Sequence, residues 1–122
     1  AAYQKNKYET ASPHRLILML YDGALANIGR ARQALDAGKR ADAHKFIQKA
    51  QDIVLELMAC LNEEQGGVIA QNLKQIYFYL VNSLVRANIR KKPEMLDEPE
   101  SILRDIRRTW EQMGKEVGNG AY

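Results

Sequence analysis

The sequence predicts an all-α fold: an antiparallel up-down-up-down four-helix bundle preceded by an extended N-terminal arm. Three observations predict it. Apolar residues recur at alternating spacings of three and four along four separate stretches, the period of a helix that buries one seam. Short breaks at Gly38, at 62–67 and at Pro93 separate the stretches, so that sequence neighbours fold back on one another. No run alternates with a period of two, and nothing reads as a strand.

Residues 1–11, AAYQKNKYETA, carry no period and read as the arm, with two aromatics, Tyr3 and Tyr8. Ser12-Pro13 is a helix start, since the hydroxyl caps a free N–H and proline suits the first helical position. The first helix is predicted over 13–37, with a seam of Ile17, Tyr21, Ala24, Ile28, Ala31 and Leu35, and Gly38 ends it. The second is predicted over 40–61, on Ala43, Ile47, Ala50, Val54, Leu57 and Leu61, with Phe46, Ile53 and Cys60 widening the stripe. The third, over 68–89, carries Leu73, Tyr77, Leu80 and Leu84, flanked by Ile69 and Ile76. RKKP stops it, because Pro93 cannot continue a helix. The fourth is predicted from near Pro99 to 117, on Leu103, Ile106, Trp110, Met113 and Val117. Residues 12–117 thus form the bundle, and GNGAY at 118–122 reads as a frayed tail.

A chain of 122 residues with 46% apolar and 27% charged residues suits one domain with one core. The 18 basic and 15 acidic residues are interspersed, and the only basic block is RKK at 90–92. A nucleic-acid partner, which needs a basic face, is not expected. The single cysteine excludes an intramolecular disulfide or a cysteine-based metal site. Its apolar helical setting reads as a small core residue, not a reactive thiol. No stretch approaches the ~18 apolar residues of a membrane span, and no signal peptide is apparent. The expected compartment is the cytosol, without membrane insertion.

The run LILMLY at 16–21 holds more apolar surface than one seam uses. Six consecutive apolar positions encircle a helix at ~100° per residue. Leu18 and Leu25 lie roughly 80–100° from the first seam, and Met19 lies about opposite it. Leu55 and Met58 form a second stripe on the second helix. Phe78, Val81, Val85 and Ile89 form one on the third, ~80–160° from its seam. A wider core explains any one of these residues; the whole set asks for a cover. An amphipathic segment seated in a groove between helices is one such cover. Gly23 and Gly29 each cost their helix ~1 kcal/mol relative to alanine. Gly29 projects near Leu18 and Leu25, either as a dent for another backbone or as a tolerated weak spot.

Catalysis finds little support. Histidine phosphotransfer, the best enzymatic alternative among helical bundles, needs an exposed mid-helix histidine, whereas His14 and His44 fall in first turns and read as surface or boundary residues. A di-metal bundle needs paired Glu-x-x-His motifs, and the chain has none. Glu63, Glu64, Asp97, Glu98 and Glu100 cluster at turns, where solvated charge is the default. No nucleophile has an evident base. Tyr77 and Trp110 read as core aromatics with their polar atoms at the edge. Neither a metal nor a cofactor is expected.

SPHRLILMLYDGAL, IQKAQDIVLEL, LNEEQGGVIAQNLKQIYFYL, LVRANIR and the late RRTW together resemble the flagellar secretion chaperone family FliS, from about Tyr3 to Trp110. The resemblance implies a cytosolic export chaperone that binds the disordered C-terminal region of flagellin, blocks premature polymerisation and helps deliver it to the export gate protein FlhA. It implies gate docking for Tyr3, and an arm that lies over the client groove when client is absent. On that reading Leu18, Leu25, Leu55, Phe78, Val81 and Val85 line the flagellin groove. Pro99 departs from the family pattern and predicts a break at the start of the fourth helix.

Overall fold

The computed structural model describes residues 12–117, so the arm with Tyr3 and Tyr8 and the tail at 118–122 lie outside the described residues. Four helices follow in order: α1 (Pro13–Asp36), α2 (Arg40–Ala59), α3 (Glu63–Arg90) and α4 (Asp97–Val117), with a 3-10 turn at Pro93–Leu96 before α4. No strand occurs among the described residues.

Each boundary has a local cause. The Ser12 hydroxyl accepts the Arg15 N–H at 3.1 Å, so one orphan donor at the start of α1 is satisfied. Gly38 adopts φ 72°, and the Lys39 N–H returns to the Ala34 carbonyl at 2.8 Å. Asn62 caps α3 by accepting the Gln65 N–H at 3.1 Å. Gly67, at φ 52° and ψ −128°, then kinks α3. The start predicted near Val68 is therefore the kink, and the helix itself opens a turn earlier. Lys91, left-handed at φ 55°, closes α3 ahead of Pro93.

Pro99 produces no break. It lies in the first turn of α4, fully buried. A first-turn residue has no intrahelical acceptor for its N–H, so proline loses nothing there.

The core comprises Tyr21, Ile28, Ile47, Val54, Leu57, Tyr77, Leu80, Leu84, Leu96 and Leu103, all essentially inaccessible. All but one of these side chains belong to the predicted seams; Leu96, in the 3-10 turn, was expected in a connecting turn and is instead fully buried. Cross-helix pairs fix the directions. His14 meets Trp110 while Arg32, at the other end of α1, meets Asp97 and Glu100, so α1 and α4 are antiparallel. The three-residue link between α1 and α2 reverses the chain, and a Cβ at Gly23 would sit 3.3 Å from Ile53 Cδ1 of α2. The start of α2 meets the end of α3 through His44 and Asn88, 3.0 Å apart. Of the adjacent pairs, α3 and α4 pack least closely.

Four expectations are corrected by the packing. Cys60 is exposed, because α2 ends at Ala59 and the cysteine forms its cap; partial burial and the Glu56 carboxylate push its thiol pKa up. His14 is buried, not at the boundary. Its ring stacks on Trp110 at 5.2 Å and 10°, its Nε2–H reaches the Trp110 carbonyl at 2.7 Å, and the Trp110 Nε1–H donates to the His14 carbonyl at 3.0 Å. The Tyr77 hydroxyl lies inside the bundle, 2.5 Å from that of Tyr21 on the diagonal helix. Asp97 and Glu100 are not idle turn charges: they grip Arg32 at 2.7 and 3.1 Å.

A Cβ at Gly23 would press lightly on Ile53 of α2, whereas Gly29 faces open space. Gly29→Ala should therefore raise stability by about 0.5–1 kcal/mol through helix propensity alone. Urea unfolding checks this, and a lower midpoint would mean that a neighbour occupies that space.

Candidate functional site

The six sequence-predicted groove residues do not share one surface. Leu18 is 6% exposed and belongs to the core cluster with Ile17 and Tyr21. This corrects its expected place in an open groove. It lies one helical step from both His14 and Tyr21, at the rim of an unusually wide buried arc. Leu25 is half-buried on the α1–α4 edge, beside Asp22, Arg104 and Arg107.

That edge is polar. Arg107 bonds Asp22 of α1 at 2.5 Å and Glu111 at 2.6 Å. The Arg107 guanidinium and then Lys115 hold the Glu111 carboxyl below its usual range. The Arg107–Asp22 pair joins α1 to α4 beside a shallow hollow, with Leu25 as its one apolar wall residue.

The remaining four residues converge between α2 and α3. On α3, Phe78, Val81 and Val85 fall on the flank that turns from the core toward α2. Val85 shares a hollow with His44, Gln48, Gln51, Asn88 and Ile89. On α2, Leu55 lies one turn from Gln51 and two from Gln48, on the same flank. Phe78 is 53% exposed, Leu55 48% and Ile89 73%, while Val81 and Val85 are half-buried. Apolar side chains thus stand open along about three turns of α3, met on α2 by Leu55 and otherwise by the polar His44, Gln48 and Gln51. Between them, the Gln51 side-chain oxygen is buried without a hydrogen-bond partner. Leaving such surface in water is unfavourable at roughly 25 cal/mol per Å², which an apolar partner would recover.

Sequence reasoning missed a second apolar surface. Ile69, Leu73 and Met113, read as seam or flank residues, border a cleft of about 250 Å³ with Leu61 and Trp110 where the start of α3 faces the end of α4. Further along, Ile76, Tyr79 and Ile102 line an open groove. The Tyr79 hydroxyl donates to the Glu98 carboxylate, which pushes the phenol pKa up. The signal was present in Ile69 and Ile76 flanking the seam. The opening itself depends on the Gly67 kink and the loose α3–α4 packing.

Chemically, these surfaces offer apolar contact and little else. His14 is locked against Trp110, and His44 is paired with Asn88. No group of His, Cys, Asp and Glu among the described residues is arranged to hold a metal ion. No described helix is long and apolar enough to cross a membrane. The arrangement can bind an amphipathic chain segment.

The family model described as "Flagellar protein FliS" matches residues 1–117. The chain is 36% identical to the flagellar secretion chaperone FliS of Vibrio cholerae over 122 residues, covering 97% of this chain and 90% of the relative. It is 39% identical to that of Salmonella typhimurium over 105 residues, covering 85% and 78%. It is 37% identical to that of Bacillus subtilis over 111 residues, covering 91% and 82%.

Proposed function

The chain belongs to the FliS family of flagellar proteins, and from that premise we propose that it is a cytoplasmic export chaperone for flagellin. Its client is the C-terminal region of flagellin, which is disordered before assembly. The observation that carries this reading is the open apolar face of Leu55, Phe78, Val81 and Val85 between α2 and α3. Leu25, at the α1–α4 edge, serves as a secondary contact for a client long enough to wrap the bundle.

The physical logic follows from the bundle's division of labour. The buried seams and the Tyr21–Tyr77 and His14–Trp110 contacts hold the fold without the client. The exposed stripe is then free to take an amphipathic segment, with helical side-chain spacing matched to its own. A disordered client must repay its ordering entropy on binding, so a few deep apolar contacts carry most of the affinity. Covering those client residues prevents flagellin from polymerising early. In the same proposal, Tyr3 docks the loaded chaperone on the export gate protein FlhA. The chain works by binding, not by catalysis.

Titration calorimetry with cognate monomeric flagellin tests this directly. Full-length flagellin should bind, and flagellin lacking its C-terminal segment should show no measurable heat. Undiminished binding of the truncated protein would overturn the assignment of the client region.

A further inference from the structure

The α2–α3 face ends in a group of cations, of which only Lys91 is tied into the fold, by its bonds to Asn88 at the α3 cap. Lys39 and Arg40 open α2, and Arg90, Lys91 and Lys92 close α3. The His44–Asn88 contact places these two ends side by side. Elsewhere, Arg32, Lys74, Arg104, Arg107, Arg108 and Lys115 have carboxylates within 4 Å, while the other cations without one, Arg15, Arg30, Lys45, Lys49 and Arg86, are spread over α1, α2 and α3 and not gathered at one end. None of the five cations at this end has an ion-pair partner among the described residues, although Asp36, Asp42 and Glu94 are near in sequence. Lys91 turns inward, donating to Asn88 Oδ1 at 2.5 Å; burial and then the neighbouring Arg40 lower its pKa. Arg40 of α2 and Lys91 of α3 thus lie close enough to feel each other's charge.

This charge continues the apolar stripe. Ile89 is 73% exposed and immediately precedes Arg90. A segment lying along Phe78 and Val85 would run straight off Ile89 onto the cations. Nucleic acid would use the cations and leave the adjoining aliphatic surface unused. A peptide that carries apolar residues at helical spacing, followed by acidic side chains, uses both.

We propose that Lys39, Arg40, Arg90 and Lys92, with Lys91 behind them, form a carboxylate-reading end of the client face, which receives acidic side chains that flank the apolar part of the bound flagellin segment. The end fixes the direction and register of the segment, since apolar contacts alone let it slide. This inference rests on the α2–α3 reading of the client face.

The test replaces Lys39, Arg40, Arg90 and Lys92 by Gln, keeping Lys91 for its contact at the α3 cap. Affinity for cognate flagellin is measured by calorimetry beside Phe78→Ala. The fourfold variant should melt with the wild type and bind about tenfold more weakly at ~0.05 M salt, with the difference largely gone at ~0.5 M. Flagellin with its C-terminal-segment Asp and Glu changed to Asn and Gln should bind wild type and variant equally. If the fourfold variant folds poorly, Arg40→Gln and Lys92→Gln singly should each show about two- to threefold of the same salt-sensitive loss. Wild-type affinity in the variant, with Phe78→Ala still impaired, overturns the charged end and leaves the client face standing. An equal loss toward the neutralised flagellin overturns it as well. Unchanged affinity in Phe78→Ala removes the client face itself.

Discussion

Leu18→Ala should lower the unfolding free energy by about 2–5 kcal/mol, the range for truncating a buried leucine. Leu18 is 6% exposed and packs within the core cluster. Its removal leaves a cavity between α1 and its neighbours that a close-packed interior fills only in part. Against a total stability of about 5–15 kcal/mol for such a domain, that loss is large. Flagellin affinity, measured where the variant remains folded, should stay near wild type. Urea unfolding followed by circular dichroism is the check. A loss under about 1 kcal/mol would return Leu18 to the solvent-facing stripe and reopen its place in the groove.

Gly114→Ala should also destabilise, although helix propensity taken alone predicts a gain of about 1 kcal/mol. A Cβ at Gly114 would collide with the His14 imidazole. That ring cannot easily retreat, because it is stacked on Trp110 and bonded to the Trp110 carbonyl. Overpacking of this kind costs about 1–3 kcal/mol. A double-mutant cycle isolates the cause: in a His14→Ala background the same substitution should become neutral or stabilising. A more stable single variant would show that α4 does not close on α1 as described.

What was legible in the sequence was the periodic part. Ile17, Tyr21, Ala24, Ile28 and Ala31 on α1 are buried as their spacing requires, and Gly38, Asn62 and Pro93 mark the breaks because their backbone chemistry is local. What depends on neighbours was not legible. A helical wheel locates Leu18 and Leu25 relative to their own seam, but the width of the buried arc depends on how many helices press on α1. Packed by both α2 and α4, α1 buries Leu18 at one rim and Asn27 and Ala34 at the other. Nor does a wheel tell which neighbour a second stripe faces, so Leu25 was grouped with residues from which it is separated by the bundle. Leu55, Phe78, Val81 and Val85 came together because α2 and α3 are adjacent and antiparallel. The cleft at Ile69, Leu73 and Met113 lies between α3 and α4, the adjacent helices that pack least closely, which no single-helix pattern records. His14 was misplaced because its burial comes from Trp110, 96 residues away.

On the proposed function, the open stripe between α2 and α3 binds client and contributes little to the fold. Phe78→Ala tests it most directly, since Phe78 is the most exposed aromatic of that stripe, at 53%. The unfolding midpoint and the affinity for cognate flagellin are measured on the same purified variant. The account predicts a nearly unchanged midpoint together with binding weaker by about 1–2 kcal/mol, roughly tenfold. A folding loss of about 3–5 kcal/mol would place Phe78 in the core, and unchanged folding with unchanged affinity would remove the stripe from client binding.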